Sequence, residues 1–444
     1  MKKIIIFCII HIISYFSIFS QDIDIYTATL FPMFGAVNKN GEMLYNFDIP
    51  GANNSAPYGI FVHNGDVYVA AELNHMYGGT IVWKNGVLDT LVVGGLGSDV
   101  FVSSTGNEYV AGCWLANGTI HNIDGKVWKN REELYTLSEE TKLSGPISIF
   151  IDEHNGVEDV YVSGVVSSTG LGADARAVVW KNGEVLYLID GPYGSGAITV
   201  FVHNGDVYFG GDENVRYLSV NGRIREDPVG KVWKNGVEIY SVSTPNYPAV
   251  IMSVYVSGND VYAGGRQIAI GSCSDGKIWK NGEELYSFGP PDGYSDCMNS
   301  VNSIRVVGND VYAAGRYGYD GRVWKNGEML YHFHNSPVND MFIDTHGVGI
   351  TEHEAEAGVK VYPNPAREQV TVELPLTKNG EGAKARMHES TKAVFVLYDV
   401  QGRELLRQEI GDKESINVSR FVAGIYIYTV EFGGRKSTGK LIIN

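Results

Sequence analysis

Positive charge is in short supply in this sequence. Lysine and arginine number 35 against 51 aspartates and glutamates, so the formal net charge at neutral pH is −16. A nucleic-acid surface needs a basic stripe to meet the phosphates, and nothing of that kind is present. Helical periodicity is scarce as well, which leaves strands and turns to build most of the chain. Cysteine is sparse: Cys8, Cys113, Cys273 and Cys297 are the full set. Catalytic templates are also missing. There is no His-Glu-x-x-His, and Glu352-His353-Glu354 lies in a charged linker. There is no Gly-x-Ser-x-Gly elbow, and Gly194-Ser195-Gly196 reads as a flexible loop. No alternating-acid calcium loop occurs, so neither a metal nor a cofactor is expected.

The first twenty residues read as an export signal. Lys2 and Lys3 precede an Ile- and Phe-rich run over 4–19, and Gln21 begins a polar change. The run is short of a membrane-spanning length and no basic flank follows it, so cleavage after Ser20 is expected and no transmembrane segment in the mature chain. Cys8 leaves with the leader. Three cysteines then remain, an odd number that permits one disulfide in an oxidising compartment.

What is abundant is glycine, with 54 residues, and tyrosine, with 27. Both serve a repeat. Trp-Lys-Asn-Gly occurs from Trp83, Trp180, Trp233, Trp279 and Trp324, with a small change from Trp128, and without its tryptophan from Asn38. Successive starts lie 45, 45, 52, 53, 46 and 45 residues apart. A second signature precedes each, as in Asp66-Val67-Tyr68, Asp159-Val160-Tyr161 and Asp206-Val207-Tyr208. Asn-Gly dipeptides between alternating apolar runs mark hairpins, because primed turns need positive φ. Each unit therefore reads as four strands, and this period with strand-like units means a toroid of small antiparallel sheets.

The ends tell how the toroid closes. Asp24-Ile25-Tyr26 matches the strand-two signature, and Asn38–Gly41 with Tyr45 supplies strands three and four. The missing strand one reappears at Val338–Ile343, which parallels Val301–Val306. The expected fold is all-β: a seven-bladed β-propeller over 21–350, with one blade shared between the chain ends. A linker over 351–358 and a small antiparallel β-sandwich over 359–444 follow.

The last segment resembles the type A C-terminal sorting domain of the type IX (Por) secretion system of Bacteroidota. The residues that carry the resemblance are Val361-Tyr362-Pro363-Asn364-Pro365, Leu397-Tyr398-Asp399-Val400-Gln401-Gly402-Arg403, Gly424-Ile425-Tyr426 and the closing Lys440-Leu441-Ile442-Ile443. The resemblance implies the type IX machinery as a partner, passage through the outer membrane by means of this tail, and release or attachment at the cell surface. The repeats are similar to bacterial Trp-Lys-Asn-Gly propeller repeats and, in outline only, to kelch repeats.

Strand direction sorts the connections onto two faces. The turns from strand one to two and from three to four are short; the other connections are longer and do not repeat. Propellers usually place ligands on such a face. It carries His75, Tyr77, Trp114, Tyr193, Arg216, Tyr217, Arg266, Tyr294, Arg316, Tyr317 and Tyr319. Aromatic rings beside arginines suit a glycan or a protein ligand. Cys273 and Cys297 fall on the same face, and a disulfide between them would staple one long connection. The first expectation is a ligand-binding module. The alternative is a carbohydrate-active hydrolase or lyase using acids of that face, among them Glu72, Asp212, Glu213, Asp227, Asp275 and Asp320.

Overall fold

The computed structural model describes residues 23–30, 34–47, 55–73, 79–93, 95–115, 123–137, 143–154, 156–168, 174–191, 193–218, 224–243, 247–268, 273–289, 298–345, 360–362, 366–374, 393–398, 404–422, 424–432 and 435–443. Every regular element among them is a β-strand. Contacts divide the chain into Ile23–Asp344 and a second compact unit that takes in Thr345–Asn444.

In Ile23–Asp344 the strands form seven four-stranded sheets. Sheet 1 consists of Ser55–His63, Asp66–Leu73, Gly79–Lys84 and Val87–Val93, in that spatial order. Sheets 2 to 6 start from innermost strands Gly95–Val102, Leu143–His154, Ser195–His203, Ala249–Ser257 and Ser300–Val307. Sheet 7 is composite. Val338–Asp344 pairs with Asp24–Leu30, and Gly35–Lys39 and Glu42–Phe47 follow outward. Each sheet packs on the next and sheet 7 packs on sheet 1, so the contacts run in a closed cycle. The pairing of chain ends read from the sequence is present, with Tyr26 opposite Phe342 and Thr27 opposite Met341.

The Trp-Lys-Asn-Gly segment builds one end of every sheet. Its Trp is buried in all six copies and anchors the packing between sheets. Its Asn takes φ near 50°, which Asn tolerates because its short amide can bond locally. In sheet 4, Asn235 Oδ1 accepts from Val207 N–H at 2.8 Å while its Nδ2 donates to Asp206. Lys234 pairs with the other oxygen of Asp206 at 2.7 Å and lies over the Tyr208 ring. The same four groups meet in sheets 1, 3, 5, 6 and 7. Strand-two Asp and Tyr are thus held to the turn between strands three and four.

Seven equivalent positions on the innermost strands hold Phe61, Phe101, Phe150, Phe201, Tyr255, Arg305 and Phe342. Rings of neighbouring sheets touch, with centroids 4.6 Å apart for Phe61–Phe101 and 4.8 Å for Phe61–Phe342. Phe101–Phe150, Phe150–Phe201 and Phe201–Tyr255 continue the chain at 5.4, 5.1 and 4.8 Å. Their interplanar angles, 43°, 53°, 58°, 57° and 45°, scatter about the ~51° of one-seventh of a turn. Rotation about an axis tilts two planes by the full step only when the planes lie parallel to that axis. The rings therefore stand upright around the middle of the cycle, as a collar.

The second unit has a three-stranded sheet, Lys360–Tyr362, Gln369–Glu373 and Lys413–Asn417. Its four-stranded sheet is ordered Glu404–Ile410, Ala393–Tyr398, Gly424–Phe432 and Arg435–Ile443. Val370, Val372 and Ile416 of the first share a core with Phe395, Leu397, Val430 and Leu441 of the second. Alternating side chains from two facing sheets make the antiparallel sandwich.

Candidate functional site

Where the repeat stops, the strands go on. The connection over 212–230, expected to be a loop, is largely a β-ribbon: Asp206–Leu218 pairs with Ile224–Lys234 to its tip. Cross-strand pairing carries the ladder through polar sequence that lacks a strand-like pattern. Arg216 and Tyr217 sit on this ribbon opposite Glu226 and Arg225, and Trp114 sits on strand Glu108–Leu115 opposite Asp124. His75, Tyr77 and Tyr294 lie outside the described residues. Ser195 needs a correction. It opens strand Ser195–His203, is buried, accepts from Ala177 N–H at 2.9 Å and donates to Ile189 O at 2.9 Å. Two flanking glycines suggested mobility, but the hydroxyl is a structural joint.

Three of the sequence-derived candidates come together in sheet 6. Arg316 Nε donates to Gly318 O, and its guanidinium lies 5.7 Å from the Tyr319 ring, which is 61% exposed. The Tyr317 ring packs 3.6 Å from the Arg322 guanidinium, and its hydroxyl donates to Gly289 O. Asp320 accepts from Asn335 N–H and faces His332 and His334. Its burial is outweighed by these donors, which hold its carboxyl below the usual range.

Tyr193 is half-buried, and Arg266 is exposed. Arg266 faces Asp212 of the preceding sheet. Burial raises the Asp212 carboxyl to about 6, and Arg266 opposes the rise. Of the other acids, Glu72 accepts from the Tyr58 hydroxyl, Glu213 pairs with Lys231, and burial raises Asp227. Cys273 is disulfide-bonded, Cys113 is a buried thiol, and Cys297 lies outside the described residues.

The collar was not singled out from the sequence. Its signal was three successive apolar residues, as in Ile60-Phe61-Val62, where a strand wetted on one face would alternate. Two residues before each collar position, on the same strand face, stand Gly59, Asp99, Ser148, Thr199, Ser253, Ser303 and Asp340. A register shift precedes each of them and turns it toward the neighbouring sheet. Asp340 accepts from Ile60 N–H and Asp99 from Ile149 N–H, both at 3.0 Å. Ser253 accepts from Ile304 N–H at 3.1 Å. This polar belt stitches the innermost strands, and it lies on the long-connection side of the collar.

Asp99 and Asp340 flank the strand of Gly59. A Cβ built on Gly59 would sit 2.3 Å from Asp99 Oδ1, so Asp99 leans into the space a side chain would fill. Burial and the Asp340 charge raise the Asp99 carboxyl to about 7. Among the described residues, no group of three or more His, Cys, Asp or Glu could hold a metal ion.

In the second unit, the Tyr362 hydroxyl donates to Glu373, which also pairs with Lys413 at 2.9 Å. The Tyr426 hydroxyl donates to Val422 O at 2.6 Å. Gly424 pairs with Ile443, and Lys440 with Ile427. Pro363, Asn364, Pro365, Asp399, Gly402 and Arg403 lie outside the described residues.

Residues 360–444 match the family model for the secretion system C-terminal sorting domain. No curated protein matches the chain. Among solved structures it is similar to BBS1N in complex with ARL6DN, at 12% identity and a TM-score of 0.36 over 74% of this chain and 92% of that one. It is similar also to the extracellular domain of a protein described as a hybrid two-component system from Bacteroides thetaiotaomicron. There the identity is 10% and the TM-score 0.21, over 94% of this chain and 73% of that one. A quinonprotein alcohol dehydrogenase-like protein of the same organism gives 12% and 0.32 over 72% and 77%. Residues 360–444 thus form a sorting tail, which places the protein on an export route to the surface or beyond.

Proposed function

We propose that Ile23–Asp344 is a seven-bladed propeller that acts as a binding module at the bacterial surface, delivered there by a leader over 1–20 and the type IX tail. Its ligand is a glycan or a protein, held on the long-connection face. The observation that carries this reading is the division of labour within each sheet. Groups that repeat, such as Asp206, Lys234 and Asn235, bond to one another. Groups outside that shared set, above all Arg316, Tyr317, Tyr319 and Arg322, gather polar hydrogens and ring faces at one rim. Such pairs offer both stacking and hydrogen bonds to an amphipathic ligand.

A second reading has one observation in its favour. Asp212, raised to about 6 and beside Arg266, suits a general acid of a hydrolase or lyase. Cys297 is the proposed partner of Cys273.

The test is a glycan array and a panel of surface proteins probed with the exported protein, beside a depolymerisation assay on polysaccharides. Binding that falls at least about tenfold in Arg316→Ala and Tyr319→Ala is expected. Release of oligosaccharides, lost in Asp212→Asn, would replace the binding reading with the enzymatic one. Removal of 360–444 should leave the protein in the periplasm, as cell fractionation would show.

A further inference from the structure

With 51 acids to 35 bases, a cation in this chain readily finds a carboxylate. Among the side chains described in Ile23–Asp344, every lysine and arginine but two does so, at ion-pair distance or, for Arg266, facing Asp212. The two exceptions are Arg316 and Arg322. Neither has a carboxylate within ion-pair distance among the described residues, and the Arg322 Nε is buried without a hydrogen-bond partner. Both belong to one hairpin of sheet 6.

Strand Asp310–Tyr317 turns through Gly318 and Tyr319 into Asp320–Lys325, with Arg316 opposite Gly321 and Arg322 opposite Gly315. Opposed residues share a sheet face and successive residues alternate, so the two arginines stand on opposite faces of the hairpin. Each guanidinium lies against a tyrosine, Tyr319 for Arg316 and Tyr317 for Arg322. Gly318 O takes the Arg316 Nε, which leaves the two Nη groups, the pair that meets a planar carboxylate end on. The cross-strand neighbour of Arg316 is Ser300, whose hydroxyl donates to Asn302, so that face holds neutral groups. Asp320 lies on the other face, where His332, His334 and the Asn335 amide surround its carboxylate.

We propose that this hairpin tip binds an acidic polysaccharide, a chain of sugars that carry carboxylates. Arg316 forks one carboxylate through its two Nη groups, and the exposed Tyr319 ring stacks on the C–H face of a sugar. Arg322 adds a second positive charge across the hairpin. A neutral glycan would use the ring and leave the fork without its acceptor. A basic segment or a metal ion would meet two like charges. An acidic peptide would bring carboxylates on flexible stems and no flat C–H face for Tyr319. The tip is the sheet 6 rim of the binding reading above, and this choice of ligand class rests on that reading.

Calorimetric titration of the full-length protein with polygalacturonate, alginate and hyaluronate tests it, beside the methyl ester of each and poly-glutamate. At least one of the three polymers should bind, and its methyl ester at least about tenfold more weakly. Raising salt from about 50 mM to about 500 mM should weaken binding several-fold. Arg316→Gln should lower affinity about tenfold or more, and Arg316→Lys, which keeps the charge and loses the fork, should restore only part of it. Arg322→Gln should weaken binding several-fold and reduce its salt dependence; Arg316→Gln is the independent check where that variant does not fold. Arg176→Gln, an arginine already paired with Asp190, should change nothing. Equal binding of an acid and its methyl ester, tighter binding of poly-glutamate, or unchanged affinity in Arg316→Gln would overturn the proposal. So would no binding of any of the three at about 10 mM sugar units. In that last case, a neutral glycan or a protein bound on the array and lost in Tyr319→Ala would keep the binding reading and remove only the acidic class. No ligand in either experiment would remove both.

Discussion

The junction between sheets 1 and 2 and the six other junctions solve one packing problem with different side chains. At the six, a tyrosine on the outer strand of one sheet lies against the turn glycine of the next. Tyr45 covers Gly86, Tyr135 covers Gly183, Tyr187 covers Gly236, Tyr240 covers Gly282, Tyr286 covers Gly327 and Tyr331 covers Gly41. A Cβ there would meet the ring at 2.6–3.1 Å. Sheet 1 has Asp89 in the register position that tyrosine takes in the others, and sheet 2 has Arg131 where the others have glycine. Arg131 holds φ at 75° and pairs with Glu108 at 3.2 Å. The turn itself therefore accepts a side chain. Glycine is demanded by the neighbour's ring, and where the ring is missing the demand lapses.

The same sector rewires the repeated ion pair. Lys129 reaches past its own sheet to Glu158 of sheet 3 at 2.8 Å. Glu158 also accepts from the Tyr109 hydroxyl at 2.6 Å and from Asn107. These donors outweigh the burial and hold its carboxyl far below the usual range.

The largest effect should come from filling a covered glycine. Gly236→Val puts a β-branched side chain at φ 80° against the Tyr187 ring. A loss of about 3 kcal/mol or more is expected in urea unfolding. Arg131→Gly, at the junction without a ring, should change stability by no more than about 1 kcal/mol. An equal loss at both sites would break the comparison.

Next in size is Glu158→Gln, expected to cost about 2 kcal/mol because Lys129, Tyr109, Asn107 and Thr105 lose a charged acceptor in a mostly buried place. Asp260→Asn in sheet 5 removes an exposed counterpart and should cost less. Glu158 contributes above its unfolded value of about 4.5 and loses that contribution in stronger acid. Asp99 works in the opposite sense. Its folded carboxyl, at about 7, takes a proton more readily than the unfolded one, so stability should rise as pH falls from 8 toward 5. About 2 kcal/mol is expected between those limits, and Asp99→Asn should flatten the profile. A profile that is already flat in the parent protein would show Asp99 to be charged throughout.

The smallest effect is also the sharpest. Asp89→Tyr with Arg131→Gly should recreate the common junction, because Asp89 pairs with Val82 as the tyrosines pair with the equivalent residue in the other sheets. The pair should couple favourably by about 0.5–1 kcal/mol in a double-mutant cycle, while Asp89→Tyr alone gains nothing.

Turn chemistry was legible because it is local. Asn38-Lys39-Asn40-Gly41 announced its hairpin without its tryptophan, and the kinship of Val338–Ile343 with Val301–Val306 exposed the closing strand. The collar was harder to see. Phe61 and Ile60 look alike in sequence, and only the ring decides which of them faces the channel. Arg216 and Tyr217 were read as loop because their segment is polar and interrupted by Pro228; a partner strand, supplied from across the hairpin, overrides that pattern. Asp99 reads as an ordinary strand-end acid until Gly59, forty residues away, leaves the space into which it leans.

The composite sheet carries one more consequence. Because Asp24 lies opposite Asp344 in the same sheet, the fold has no first or last member. Its order is that of a circle, and the place where the peptide chain begins is an accident of which connection was left open. Joining 23 to 344 through a short linker and opening the chain at Asn204–Gly205 instead would place the same seven sheets in the same cyclic order. The ring would then close at a tight turn of sheet 4, and every junction described above would find its partner unchanged.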